Sequence, residues 1–352
     1  LIALHSLKKK YQNTVKAIFI DPPYYFKDTK SADTFVYNSN FKLSSWLVFM
    51  KNRLDVAKEL LNDKGFIYIT ISDDGAHYLK VLCDSIFGPE NFIADVTWQS
   101  RKSVSNDGLL SGASTHVLTY AKNKEKINKN QFRLALDIEG FNYDDNDGKG
   151  RYKIEPFDAP NKRKNLNYEI INPNTQESYF PPQGRCWRTG EKDYYNLLSQ
   201  NKIRFGVNGT ARPQLKVYLS EAIEMGKGKA TTTIWNFSST DTILWTETDT
   251  TTNATKHQQK LFGEIVFENP KPENLVARAI ELATDENDLV LDFFMGSATT
   301  PATAMKMKRR FIGIEQMDYI DDISIVRLQK VMEGEQGGIS GDYNWNGGGS
   351  FI

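Results

Sequence analysis

A chain of 352 residues with 44 basic and 44 acidic side chains, 39% hydrophobic and 12% aromatic, is long enough for one large or two intimate domains with a substantial core. No run approaches the ~18 apolar residues of a membrane span, no signal-peptide pattern opens the chain, and a formal net charge of +0 argues against binding nucleic acid by bulk charge alone. Cys83 and Cys186 lack Cys-x-x-Cys spacing, and His5, His77, His116 and His257 are scattered. A disulfide framework is therefore not expected, nor is a metal site, and the cytoplasm is the expected compartment.

Leu1, Leu4 and Leu7 read as the middle of a helix, so the chain is expected to be a piece of something longer. The run Val15-Lys16-Ala17-Ile18-Phe19-Ile20 predicts a buried strand. Asp21-Pro22-Pro23-Tyr24 stops it, because neither proline can donate to a ladder. The strand thus delivers a carboxylate, a proline carbonyl and an aromatic ring to the rim of a sheet. Those groups suit chemistry on the exocyclic amine of a nucleobase, whose lone pair is delocalised into the ring. A carboxylate and a carbonyl accepting its two hydrogens draw the nitrogen toward tetrahedral geometry, and Tyr24 can stack on the base. Taken alone, the tetrapeptide is equally a strand-terminating turn.

Residues 26–39 read as a polar loop. Ser44 offers an N-cap to an amphipathic helix carrying Trp46, Leu47, Met50, Leu54, Val56 and Leu60, which Gly65 ends. Phe66–Ile71 predicts the next buried strand, and Asp73 and Asp74 lead into a helix bearing Leu79, Val81, Leu82 and Ile86. The two acids suit either a helix N-terminus or an active site. This βαβα order predicts a doubly wound, mostly parallel sheet with helices on both faces, an α/β fold. From about Tyr120 to Phe262 the periodicities shorten and Ser/Thr runs appear, which marks an α+β insertion.

Regular order returns with Pro270-Lys271-Pro272 and a helix bearing Leu275, Val276, Ala279, Ile280 and Leu282. The strand Asp288–Phe294, the turn Gly296-Ser297-Ala298-Thr299-Thr300, a helix opened by Pro301, and the strand Phe311–Ile314 tipped by Glu315 have the spacing of a nucleotide-binding βαβ unit. Gly296 allows close backbone approach, the helix N-terminus offers free amides, and Glu315 is placed for ribose hydroxyls. There is neither a Walker lysine nor a full Gly-x-Gly-x-x-Gly, so an adenosine carrying an amino-acid tail fits best, with Lys271 a candidate for its carboxylate. A solvated helix-entry lysine is the plainer reading of Lys271.

In this order the motifs resemble the β-class adenine amino-methyltransferases of DNA. They are Asp21–Tyr24, residues 35–38, Ser44-Ser45-Trp46-Leu47, Pro270-Lys271-Pro272, Asp292–Thr300 and Gly313-Ile314-Glu315-Gln316. The insertion, with Gly184–Arg188, Ile203–Gly206 and Thr232–Trp235, is similar to the target-recognition region of type III restriction-modification Mod subunits. The resemblance implies the Rossmann-like S-adenosylmethionine-dependent methyltransferase fold. It divides the chain into a catalytic half (1–119), a target-recognition insertion (120–262), a cofactor half (263–334) and the start of a C-terminal extension (335–352). It further implies S-adenosylmethionine bound by Lys271, Asp292, Phe293, Phe294, Gly296, Ser297, Thr299, Thr300, Glu315 and Gln316, with catalysis by Asp21, Pro22, Pro23 and Tyr24. Asp at the head of the tetrapeptide implies adenine, flipped from the duplex, as the target. Implied partners are double-stranded DNA, a second copy of the chain, and a helicase-nuclease subunit. Tyr25, where the family often has Asn, and Ala298, in place of a glycine, depart from the pattern, and the Ala298 methyl is expected to crowd the donor.

Between Tyr120 and Ala230 about 20 Lys/Arg stand against about 14 Asp/Glu, so the insertion is the basic part. Candidate DNA contacts are Lys149, Arg151, Lys153, Lys162, Arg163, Lys164, Arg185, Arg188, Arg204, Arg212 and Lys216, of which lysines suit phosphates and arginines can also read base edges. Two other functions stay open: a DNA-recognition subunit addressing a nuclease with methylation secondary or lost, and, more distantly, an RNA amino-methyltransferase. Trp345, Phe351 and Ile352 predict that the glycine-rich end packs against something.

Overall fold

The computed structural model describes residues 1–25, 42–103, 109–128, 133, 136, 138–224, 231–235 and 248–352; the motif at 35–38 lies outside them. The chain forms two compact units, Leu1–Leu134 with Ala230–Ile352, and Ala135–Lys229. The second unit is narrower than the expected 120–262, because Tyr120 sits in a strand of the first unit and the helix Thr251–Phe262 also belongs there.

The first unit is built on seven strands: β1 (Val15–Ile20), β2 (Leu61–Ile71), β3 (Phe92–Gln99), β4 (Ser114–Ala121), β5 (Ile234–Trp235), β6 (Leu289–Asp292) and β7 (Arg310–Gly313), in the order β5-β3-β4-β2-β1-β6-β7. Only β4 runs against its neighbours, β2 and β3. Its helices are α1 (Ile2–Tyr11), α2 (Leu43–Leu60), α3 (Asp73–Phe87), α4 (Thr251–Phe262), α5 (Glu273–Ala283), α6 (Thr299–Lys306) and α7 (Val326–Met332). Alternation along β1 explains the two layers. Ile18 and Ile20 join the core formed with α2 and α3, whereas Ala17 and Phe19 join the core formed with α5. This is the expected α/β, mostly parallel architecture.

From β1 the chain proceeds through α2 to β2 on one side, and from β6 through α6 to β7 on the other. β1 and β6 are themselves paired, Val15 opposite Leu289 and Ile18 opposite Leu291. A crevice therefore opens beyond the carboxyl ends of these two strands, where the topology reverses.

Local departures from expectation have local causes. Ser44 is not the N-cap; Lys42 precedes α2 and no side chain caps it. Gly65 does not end the helix, which stops at Leu60, but lies within β2. A Cβ there would come to 2.9 Å from the Asn62 carbonyl and 3.0 Å from that of Val15, where the β1–β2 pairing is irregular. Val81 on α3 faces solvent. Among the described residues no helix is long and apolar enough to cross a membrane. Trp345 donates to the Val331 carbonyl at 2.8 Å and packs with Phe351 against α6 and α7, whereas Ile352 is exposed.

The second unit is α+β on a smaller scale. Gln214–Tyr218 pairs antiparallel with both Ile203–Arg204 and Tyr152–Pro156, and beside them lie two short ladders and the helices Glu191–Ser199 and Leu219–Glu224. Phe157, Trp187, Tyr194 and Phe205 form its core, and the Trp187 indole donates to the Tyr168 carbonyl at 2.8 Å.

Candidate active site

Asp21 directly follows β1 and is held by the neighbouring strand: Thr70 Oγ1 of β2 donates to Asp21 Oδ1 at 2.5 Å. Lys271 Nζ, 250 residues away in sequence, donates to Asp21 Oδ2 at 2.5 Å. The Pro23 carbonyl accepts from the buried Trp46 indole at 2.8 Å, while among the described residues the Pro22 carbonyl accepts no hydrogen bond. Burial, and next the Asp21 charge, push the Tyr24 phenol well above its ordinary pKa. Its neighbour Tyr25 packs on Trp46 and Tyr78, with ring centroids 6.0 and 6.3 Å away.

The second motif sits beside the first. Asp292 closes β6, and its Oδ1 accepts from the Phe294 amide at 2.9 Å. Burial drives its carboxyl up to about 7, the Asp21 and Glu315 charges adding to this against hydrogen bonds from Thr300 and Phe294. Gly296 turns through φ +52°, and a Cβ there would meet the Phe267 ring at 3.2 Å. Behind the turn, Ser324 Oγ donates to the Gly296 carbonyl at 2.6 Å, and Arg327 donates to the Ser297 carbonyl at 3.1 Å and to Thr299 Oγ1 at 2.9 Å.

A cavity of about 330 Å³ joins the two motifs and lies in the range of small-ligand sites. Asp21, Pro22, Pro23 and Tyr24 line it, with Lys271, Asp292, Phe294, Gly296, Ser297, Thr299 and Thr300. A further wall, which the sequence did not signal, comes from the ends of β3 and β4, including Trp98, Ser100, Arg101 and Thr115. Three expected residues do not line it. Phe293 is buried in the core. Glu315 turns onto backbone, accepting from the amides of Gly296 at 2.9 Å, Gln316 at 2.7 Å and Met317 at 3.0 Å. Gln316 follows it outside the cavity. Ala298 is not in the wall either; its methyl packs with Met295, Ala302 and Leu328, so it does not crowd the cavity.

Thr70, Phe267 and Arg327 were missed by sequence reasoning because no spacing rule connects them to the motifs they hold, and Trp46 was placed in a motif and on a helix face but not against the Pro23 carbonyl. Two of the histidines that look scattered in sequence meet acidic side chains in the fold. His116 lies between Asp73 at 2.8 Å and Asp95 at 2.9 Å, and the Asp95 hydrogen bond leads in raising its pKa to about 8. His257, Glu273 and Glu335 bring ligand atoms within 4.8 Å of one another. Lys306 fills that cluster, its ammonium bonded to Glu273 at 2.8 Å and to Glu335, so a cation is already built in.

In the second unit the candidate cations divide. Lys149, Lys153, Arg185 and Arg188 pair with Asp147, Glu155, Asp158 and Glu155. Lys216 is buried on Asp145 at 2.5 Å, a correction to its expected outward role: its ammonium serves the interior. Arg204 stacks on Tyr143 and Arg212 on Tyr179. Arg151, Lys162, Arg163 and Lys164 are exposed and make no ion pair with the described residues.

A DNA methylase family model matches residues 15–325. A Haemophilus influenzae protein named as the probable type III restriction-modification enzyme HindVI Mod subunit is 34% identical, over 100% of this chain and 52% of its own. The Salmonella typhimurium StyLTI Mod subunit is 30% identical over 87% of this chain and 49% of its own. The chain thus spans about half the length of the curated relatives it matches. Among solved structures, the PvuII cytosine-N4-specific DNA methyltransferase aligns over 97% of this chain and 89% of its own, at 12% identity and a TM-score of 0.48.

Proposed function

Since the chain belongs to the DNA methylase family, we propose that it transfers a methyl group from S-adenosylmethionine to the N6 amine of a flipped adenine in duplex DNA. In this reading it is the modification and recognition part of a type III restriction-modification enzyme. One observation carries the reading: the Asp21–Tyr24 tetrapeptide and the Asp292–Thr300 turn line one cavity at the point where the sheet topology reverses.

The donor, when bound, supplies an electrophilic methyl group on a positively charged sulfur. The residues present fit such a cation: Asp292 is a buried acid with no lysine or arginine paired to it among the described residues, and Gly296, where a side chain would meet the Phe267 ring, lies in the cavity wall beside it. Lys271 is within reach of a carboxylate in the same cavity. Asp21 accepts one amine hydrogen and the Pro22 carbonyl the other, which frees the nitrogen lone pair; the Pro23 carbonyl is committed to Trp46. Tyr24 stacks on the base. As the nitrogen–carbon bond forms and the carbon–sulfur bond breaks, Asp21 takes the surplus proton. Most of the rate comes from positioning and local charge.

Arg151, Lys162, Arg163 and Lys164 are the side chains best suited to phosphates, being exposed and unpaired by any described acid. The relatives' names as Mod subunits of restriction-modification enzymes support a restriction partner, in this reading a helicase-nuclease, and two copies of the chain with unequal roles would suit a non-palindromic site. The work lies in the prokaryotic cytoplasm. The test is incubation of the full-length protein with unmethylated genomic DNA and methyl-labelled S-adenosylmethionine, followed by nucleoside analysis. Labelled N6-methyladenine is expected; label in N4-methylcytosine, in RNA alone, or nowhere overturns the proposal.

A further inference from the structure

Lys271 stands in an unexpected relation to the catalytic carboxylate. Its ammonium and the Thr70 hydroxyl, each at 2.5 Å, occupy both oxygens of Asp21. The same ammonium lies over the Tyr24 ring, 5.5 Å from its centroid. It therefore engages both side chains assigned to the base.

The backbone here is fixed while the side chain is not. Pro270 and Pro272 flank the lysine and fix φ on either side of it. The Lys271 carbonyl accepts from Thr299 Oγ1 at 3.2 Å, which ties it to the first residue of α6 beside the glycine turn. The four-carbon stem keeps its rotamers, so an ammonium can swing within the cavity without backbone change. A second carboxylate entering that cavity competes with Asp21 for one cation.

Resting on the methyl-donor reading above, we propose that Lys271 is a latch on Asp21. In the donor-free protein it holds the catalytic carboxylate; the carboxylate of a bound donor takes the ammonium over and leaves Asp21 to the target amine. Base capture is thereby coupled to the presence of the methyl group. The step exchanges one ion pair for another and transfers no atom. Lys271 acts here through Asp21 and is a positioning residue.

The coupling is measurable without catalysis. Calorimetry on the full chain uses S-adenosylhomocysteine, which has the amino-acid carboxylate but an uncharged sulfur, and 5′-methylthioadenosine, which lacks the carboxylate. Asp21→Asn releases Lys271 and is expected to tighten S-adenosylhomocysteine binding by about tenfold, the scale of one charge-assisted hydrogen bond. In a Lys271→Met background the same substitution is expected to change affinity by less than about twofold. The affinity of 5′-methylthioadenosine should respond to neither. Lys271→Gln serves identically if the methionine variant folds poorly. An Asp21→Asn effect that is absent, or equal with and without Lys271, overturns the latch and leaves the donor reading standing. Failure of the unmodified protein to bind S-adenosylhomocysteine overturns both.

Discussion

Two groups of buried charge in the first unit are treated in opposite ways. Behind the glycine turn, Glu273, Lys306 and Arg327 are all but fully buried, with Glu335 and His257 at their edge. Burial alone would raise the Glu273 carboxyl, yet Arg327, Lys306 and His257 hold it below its ordinary value. Against the same opposition, His257 and Lys306 bring Glu335 down to about 2. In the cavity wall Asp292 is equally sequestered, but Asp21 takes the nearby lysine and Asp292 rises to about 7. Matched buried charge is architecture. An acid left without a cation beside a cavity marks a candidate ligand contact, which in the proposed reading is the positively charged donor.

The contrast breaks most visibly if the matched group is unmatched. Glu273→Ala leaves Lys306 and Arg327 buried without their shared carboxylate and should cost roughly 3–5 kcal/mol, read as a lowered urea midpoint. It should also slacken the Ser297–Thr299 backbone that Arg327 holds. An unchanged midpoint would mean that the network is redundant.

In the cavity the effect should fall on rate. Asp21→Ala and Tyr24→Ala should each lower methyl transfer by roughly 10²-fold or more, with cofactor binding retained. Near-normal transfer of labelled methyl by either variant would remove them from catalysis. The tetrapeptide was legible because two prolines after a β-branched run leave a strand nowhere to go. The Asp292–Glu315 unit was legible because a small-residue turn and an acid at fixed spacing reflect one βαβ crossover. Asp21 to Lys271 was not, since no local pattern reports a contact across 250 residues. Arg327 was illegible for a related reason: on sequence it is one more helical arginine, and only the packing of α7 behind the turn gives it a task.

The two groups should also answer pH with opposite signs. Asp292 has its pKa raised when folded, so its contribution is present in acid and is lost as pH rises toward about 7. Glu335 is depressed to about 2, so its contribution is present above its ordinary value and is lost only as pH falls toward 2. Between pH 5 and 8 the unmodified protein should therefore lose roughly 2 kcal/mol that Asp292→Asn does not. Urea midpoints that fall in parallel for both proteins would show that Asp292 is not the titrating group. In the same window, S-adenosylmethionine should bind more tightly as pH rises, with proton release seen as a buffer-dependent heat.

Glu315 belongs with the turn that borders the cavity. Its carboxylate accepts from three backbone amides, that of Gly296 in the glycine turn among them. Glu315→Ala should weaken S-adenosylmethionine binding by roughly 1–3 kcal/mol. Unchanged affinity by calorimetry would show that the Gly296 turn keeps its shape without this carboxylate.

The smallest effect is expected where the sequence departs most visibly from its family's pattern. Ala298 adopts φ +60°, a left-handed conformation that costs a non-glycine residue about 1 kcal/mol or more. Glycine would remove that cost. It would also give up the burial of a methyl group that packs with Met295, Ala302 and Leu328, worth about 0.8 kcal/mol, and would gain freedom in the unfolded chain. These terms nearly cancel, so Ala298→Gly should change stability by less than about 1 kcal/mol. Because the methyl points into the packed side and not the cavity, affinity for S-adenosylhomocysteine should also stay within about twofold. The contrasting substitution is Ala298→Val, in which a β-branched side chain meets the same positive φ and should cost several times more. If glycine instead strengthened ligand binding markedly, the methyl would have to face the donor, and the separation drawn between the wall of the cavity and the packing behind it would fail at this residue.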